Sequence, residues 1–168
     1  MQYLVFSDLH GSRQGLALLR EAVQREKPDC LICLGDTLHG AYDGDPHACA
    51  DYLSHCAIPI FGVMGNCDSY YDESALGFAL PYEQTLYFAG HRLILRHAPF
   101  YYGAVPGDIQ MSGHTHIKTL SVSSGIISLN PGSIGRPRDG TFSYALLNEN
   151  RIALVNAETG NVLKELAL

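Results

Sequence analysis

Apolar and polar positions follow two different rhythms along this chain. In the first part, "YLVFSD", "CLICLGD" and "IPIFGVMGN" each read as a buried strand that stops in a polar cluster. Between the first two, "SRQGLALLREAVQREK" places Leu16, Leu19, Ala22 and Val23 at helical spacing, with Ser12 as its N-cap. A second helix is expected to begin at Asp45 as N-cap and Pro46 as first helical residue. The order βαβαβ predicts a parallel sheet.

After about Pro81 the rhythm shortens. "QTLYFAGHRLILRH" reads as a hairpin about an Ala-Gly-His turn, and "TLSVSSGIISLN" and "YALLNENRIALVNAETGNVLKEL" repeat the pattern about Ser-Gly, Asn-Glu-Asn and Thr-Gly turns. No Pro/Gly/Ser-rich linker divides the halves and no internal repeat is present, so residues 1–168 are expected to form one α/β domain. Its core would be a sandwich of two mixed sheets with helices outside.

Composition narrows the classes. A chain of 168 residues can bury roughly 70% of the surface its unfolded form exposes, enough for a real core. The 11 Lys and Arg residues are scattered against 17 acids for a net charge of −6, which argues against a grip on long nucleic acid. No apolar run approaches the roughly 18 residues of a membrane span, and "MQYLVFSDLH" lacks the basic start of a signal peptide, so a cytoplasmic protein with no membrane partner is expected. The 5 cysteines do not suggest a disulfide framework. Cys30 and Cys33 form a C-x-x-C inside an apolar run, where packed thiols are expected in preference to a redox or zinc pair.

Chemistry gathers where the apolar runs end, the place open α/β folds reserve for their sites. Asp8 and His10 follow the first run, Asp36 the second, and Asn66, Cys67 and Asp68 the third; His97 and the pair His114 and His116 follow later ones. Singly, each has an ordinary reading as a cap, a turn former or a hydrogen-bonded histidine. Together they suggest a metal cluster. Asp8 and His10 lie two apart, as do His114 and His116, a spacing that turns both side chains of an extended backbone to one side. Glycines at 11, 35, 65 and 113 supply tight exits. Seven candidate donors exceed one tetrahedral zinc and suit two metals that share a carboxylate and hold a hydroxide for in-line attack on a phosphate. The His/Asp/Asn mixture favours ions such as Mn, Fe or Zn over Mg or Ca.

In this order, D-x-H, G-D, G-N-x-D, H and G-H-x-H resemble the calcineurin-like metallophosphoesterases across nearly the whole chain, and the short length with "GNCD" and "NPGS" is similar to their small bacterial YfcE-type phosphodiesterases. The resemblance implies a four-layer α/β/β/α sandwich with helices on both sides, and hydrolysis of small phosphodiesters with two divalent ions, manganese first, with iron, zinc or nickel as alternatives. It implies that Asp8, His10, Asp36 and His116 hold the first ion, that Asp36 bridges, and that Asn66, His97 and His114 hold the second. Many relatives carry a histidine where this chain has Cys67, so Cys67 is read as a substitute beside the substrate, with soft ligand and reactive thiol as lesser readings. A thiol donates protons weakly, which favours diesters with a good leaving group. Asp68 is expected behind the ligands, orienting a histidine.

Arg136, Arg138 and His39 are candidate substrate contacts, each with a solvated-loop reading beside it. The aromatics of "APFYYGAVPG", residues 98–107, could stack on a base or aryl ester, or form a subunit contact in a homo-oligomer. Ala98 stands where the family commonly has glycine. His47, His55 and His91 receive no role. A phosphomonoesterase or nucleotidase, and a protein-binding scaffold like the retromer subunit of this fold, are the alternatives. The scaffold tends to lose ligands, and here every ligand position is filled.

Overall fold

Alternate residues of the central strands enter two different apolar clusters, and this two-sided burial sets the layering. In the computed structural model, which describes residues 1–42, 44–100 and 102–168, β1 (Gln2–Phe6) sends Leu4 and Phe6 to one side and Tyr3 and Val5 to the other. β2 (Cys30–Cys33) divides Leu31 and Cys33 from Cys30 and Ile32 in the same way. Cys30 and Cys33 therefore point to opposite faces. Both thiols are buried, and burial pushes them up to about 11 and about 12, as befits packing residues.

Three helices supply the first cluster. α1 (Arg13–Glu26) is capped by Ser12, whose Oγ accepts from the Gly15 amide at 3.0 Å, and contributes Leu16, Leu19 and Ala22. α2 (Pro46–Ser54) starts as expected at Asp45, whose carboxylate accepts from the Ala48 amide at 3.0 Å. α3 (Tyr70–Leu76) was not anticipated. It follows the site loop directly, and the Asp72 carboxylate accepts from the Ser69 amide at 2.6 Å at its start. No helix among the described residues is long and apolar enough to cross a membrane.

The remaining strands are β3 (Ile60–Gly62), β4 (Glu83–Phe88), β5 (His91–Arg96), β6 (Ile109–Met111), β7 (Thr119–Ser123), β8 (Ile126–Asn130), β9 (Ser143–Asn148), β10 (Arg151–Asn156) and β11 (Val162–Ala167). They form two mixed sheets, ordered β11-β10-β9-β1-β2-β3 and β4-β5-β6-β8-β7. The four predicted hairpins are present, and two turn on positive-φ pairs, Ala89-Gly90 and Ser124-Gly125. The second cluster, with Val5, Ile32, Leu93, Leu95 and Ile109, fills the space between the sheets.

Two mixed sheets thus pack face to face with helices outside, as the sequence predicts. The buried apolar side chains of the helices join the cluster outside the six-stranded sheet. Over the outer face of the five-stranded sheet, the cover among the described residues includes the loop after β5, whose Phe100 is buried beside Gln110 and Ser128. β1, β2 and β3 run parallel, as do β5, β6 and β8. Parallel strands deliver their C-terminal loops to one edge.

Candidate metal centre

Asp8, His10, Asp36, Asn66, His97, His114 and His116 all lie on those loops. Five of the eight non-glycine residues with positive φ among the described residues are in this set: Asp8, His10 and Asp36 at 54°, His114 at 66° and His116 at 58°. The left-handed region costs an L-residue roughly 1–2 kcal/mol, so this concentration marks a site whose surroundings enforce the geometry. It also corrects the sequence reading. The D-x-H and H-x-H pairs converge through left-handed turns and not along extended backbone. The enforcing contacts are backbone hydrogen bonds between loops, from the amides of Asp8 to the Gly35 carbonyl (3.0 Å), His10 to Asp36 (2.9 Å) and Gly113 to His97 (2.8 Å). Glycine is required where the loops touch: a Cβ on Gly65 would lie 2.1 Å from Asp36 Oδ1, and one on Gly113 1.9 Å from Ser7 Oγ.

Three histidines are oriented alike. His10 Nδ1 lies 2.5 Å from the His39 carbonyl, His97 Nδ1 2.7 Å from Leu34 and His116 Nδ1 2.6 Å from Arg136. A carbonyl only accepts, so each Nδ1 carries the proton and each Nε2 lone pair turns inward. His10 Nε2 and His116 Nε2 then face each other at 3.2 Å, and Asp8 Oδ1 lies 3.2 Å from His116 Nε2. Neutral rings would set lone pair against lone pair, an arrangement that a proton on one ring or a metal ion held by both relieves. Asp8 Oδ1 is buried without a hydrogen-bond partner, while Asp8 Oδ2 accepts from the His114 amide at 3.0 Å.

Asp36 divides its oxygens in the same fashion. Oδ1 accepts from the Cys67 amide at 2.7 Å, and Oδ2 stands 3.7 Å from His10 Nε2 and 3.4 Å from His97 Nε2. Asn66 Oδ1 lies 3.1 Å from His97 Nε2 and 2.7 Å from His114 Nδ1. The donors thus form two neighbouring groups that meet at Asp36. The group of Asp8, His10 and His116 is buried, whereas Asn66 and His114 are exposed. Burial pushes the Asp36 carboxyl up, but His97 and the Cys67 amide outweigh it and hold the group at about 2. His116 is raised, chiefly by its contact with Asp8. Histidine and carboxylate donors with an unpartnered buried oxygen fit divalent transition-metal ions.

Two expected roles change. Asp68 does not orient a histidine: its carboxylate accepts from the backbone amides of Asp36 (2.7 Å), Thr37 (2.9 Å) and Gly65 (2.8 Å), clamping the loops that carry Asp36 and Asn66. His39 does not reach into the centre. Its ring pairs with Asp72 of α3 at 3.0 Å, and only its carbonyl takes part, by orienting His10. The sequence offered no sign of the three carbonyls, at His39, Leu34 and Arg136, because backbone partners leave none.

Arg136 and Arg138 line an open groove of about 680 Å³ with His10, Asp36, His116 and Cys67. Arg136 also donates to the Gly40 carbonyl. The Cys67 sulfur, a His10 nitrogen and an Asp36 oxygen lie within 4.8 Å of one another. Burial, with Asp36, Asp68 and Asp8 nearby, pushes the Cys67 thiol up to about 11. Phe100 and Tyr102 wall a second groove; Tyr101 lies outside the described residues.

A family model for the calcineurin-like phosphoesterase superfamily domain matches residues 1–151. The chain is 28% identical over 182 residues to the phosphodiesterase YfcE of Escherichia coli, covering 100% of this chain and 98% of that one. It is 31% identical over 179 residues to the probable metallophosphoesterase YsnB of Bacillus subtilis, covering 99% and 96%. The solved structure of YfcE, a phosphoesterase from E. coli, matches with a TM-score of 0.92 at 25% identity over 99% of both chains. A vacuolar protein sorting 29 structure from Cryptosporidium parvum matches at 0.70 with 21% identity over 99% of this chain and 98% of that one, a likeness of fold alone.

Proposed function

This chain belongs to the calcineurin-like phosphoesterase superfamily, and from that premise we propose that it is a two-metal phosphodiesterase acting on small phosphodiesters, with manganese as its working ion. It is a hydrolase of phosphoric esters, as its family and its YfcE relative are named. The observation that carries the metal reading is the approach of the His10 and His116 Nε2 atoms to 3.2 Å, with both Nδ1 protons committed elsewhere. An ion with nitrogen bonds of about 2.0–2.1 Å seats two such atoms side by side.

Asp8, His10 and His116 would hold one ion, and Asn66, His97 and His114 the other. Asp36, whose Oδ1 accepts from the Cys67 amide, would be shared between them. When bound, the two ions draw charge from a phosphate and make a water acidic enough to attack at neutral pH.

The chain's own residues do the rest. Asn66 and His114, exposed at the groove floor, set where the phosphate sits. Asp68 fixes the loops of Asp36 and Asn66 against each other. Cys67 adjoins the phosphate position and, as a thiol, is a weak proton donor to the leaving oxygen. Arg136 and Arg138 provide positive charge along the groove. Metal analysis of protein equilibrated with Mn²⁺ and desalted tests the assignment: two ions per chain are expected, and one or none would overturn it.

A further inference from the structure

Two grooves leave the centre in different directions and share Asn66 and His114. One, of about 680 Å³, contains Cys67, Arg136 and Arg138; the other, of about 370 Å³, contains Tyr82, Arg96, Phe100 and Tyr102. A phosphate held at Asn66 and His114 has one substituent for each groove, and the two walls differ in chemistry.

The second groove is aromatic with its charge already met. The Arg96 guanidinium lies 4.4 Å from the centroid of Phe100 and 4.5 Å from that of Tyr102, and it pairs with Glu83. Tyr82 and Tyr102 remain 81% and 69% exposed. Exposed tyrosine rings beside a polar centre suit a flat aromatic substituent.

The first groove is cationic. Among the described residues the Arg138 side chain makes no hydrogen bond or ion pair, and neighbouring Asp139 is taken by Lys118 at 2.8 Å. Two guanidiniums two residues apart, in a chain of net charge −6, favour an anionic group here. Cys67 also lies on this side and is absent from the aromatic groove. A thiol is no cation, so the positive charge on this side comes from the two arginines.

A phosphoryl group suits the cationic wall as a planar ring suits the aromatic one. We propose that the natural substrates are P–O–P diesters bearing a planar aromatic ring on one arm, the class of nucleoside diphosphate conjugates, with the ring in the Tyr82/Tyr102 groove and the leaving phosphoryl against Arg138 and Arg136. This rests on the phosphodiesterase reading. Water adds its oxygen to the phosphorus on the aromatic side, the bridging P–O bond breaks with its electron pair on the bridging oxygen, and the two water protons go to solvent. The products are two phosphate monoesters.

The test compares ADP-glucose with bis(p-nitrophenyl) phosphate on the manganese-loaded full chain, and measures ADP binding by calorimetry. ADP-glucose is expected to be cleaved to AMP and glucose 1-phosphate with the lower KM. Arg138→Gln should raise that KM about tenfold more than it raises the KM for bis(p-nitrophenyl) phosphate, and Tyr102→Ala should weaken ADP binding about tenfold. Both residues are exposed, so neither change threatens the fold. Turnover of bis(p-nitrophenyl) phosphate without ADP-glucose cleavage, or with Arg138→Gln affecting both alike, overturns this proposal and leaves the phosphodiesterase standing. No turnover of either compound overturns the phosphodiesterase itself, and this proposal with it.

Discussion

His10 Nε2 lies 3.2 Å from His116 Nε2, although 106 residues separate them and each ring gives its Nδ1 proton to a backbone carbonyl of a different loop. Repulsion between the two inward lone pairs is relieved by a cation, so the pair behaves as half of a metal site. His116→Ala is expected to reduce bound manganese from two ions per chain to about one and lower kcat on a diester by at least ~100-fold. Asp36→Asn should weaken both positions together. Full activity in either variant would show the assignments to be wrong; metal analysis and steady-state kinetics supply the answer.

Asp68 holds three amides with one carboxylate and touches no histidine. Asp68→Ala strands those amides, at about 1–3 kcal/mol for each that water fails to reach, and releases the loop that aims Asp36. Stability should fall by several kcal/mol in chemical denaturation. Manganese affinity should fall by about 10–100-fold although no proposed ligand is altered. Unchanged affinity would mean that the loop keeps its shape without the clamp.

Cys67 is an exposed thiol whose neighbours Asp36, Asp68 and Asp8 oppose its ionisation. Alkylation at pH 7 should be slow and reduce diester turnover only modestly, whereas complete inactivation would reveal a nucleophile. Cys67→His supplies an acid and a positive charge, so turnover of p-nitrophenyl phosphate should rise relative to the diester. A constant ratio would remove the explanation of the cysteine given above.

Asp108 secures the end of the loop that walls the aromatic groove. It accepts from Arg92 Nη2 at 2.5 Å and from the Val105 amide at 2.7 Å, and the Arg92 guanidinium holds its carboxyl below the usual range. A depressed folded-state pKa contributes stability that is complete above the unfolded value near 3.9 and is lost as pH falls through the folded value. Hydrogen exchange in residues 98–108 should therefore stay constant from pH 8 to about 5, after correction for the intrinsic rate, and rise only below about pH 4. Asp108→Asn should raise it at neutral pH. A rise between pH 6 and 5 in the native protein would point to another group.

Features controlled by neighbouring residues were legible in the sequence. Ser12 and Asp45 cap the helices they precede, the Ala-Gly and Ser-Gly turns close their hairpins, and the donors emerge where apolar runs stop. What escaped depends on distant partners or on very short segments. β6 is only Ile109–Met111, and α3 is a helix of 7 residues whose signal was the Ser69 and Asp72 pair. His39 looked free for substrate because its partner, Asp72, lies 33 residues away. The left-handed turns at Asp8, His10, His114 and His116 arise from contacts between loops, which pattern alone does not contain.

The most direct measurement is hydrolysis of bis(p-nitrophenyl) phosphate beside p-nitrophenyl phosphate by metal-stripped protein, before and after addition of Mn²⁺. A two-metal phosphodiesterase is inactive when stripped and recovers with manganese, cleaving the diester in large excess over the monoester. A preference for the monoester would mark a phosphomonoesterase, and no turnover with manganese, iron, zinc or nickel would contradict the enzyme and favour the protein-binding scaffold.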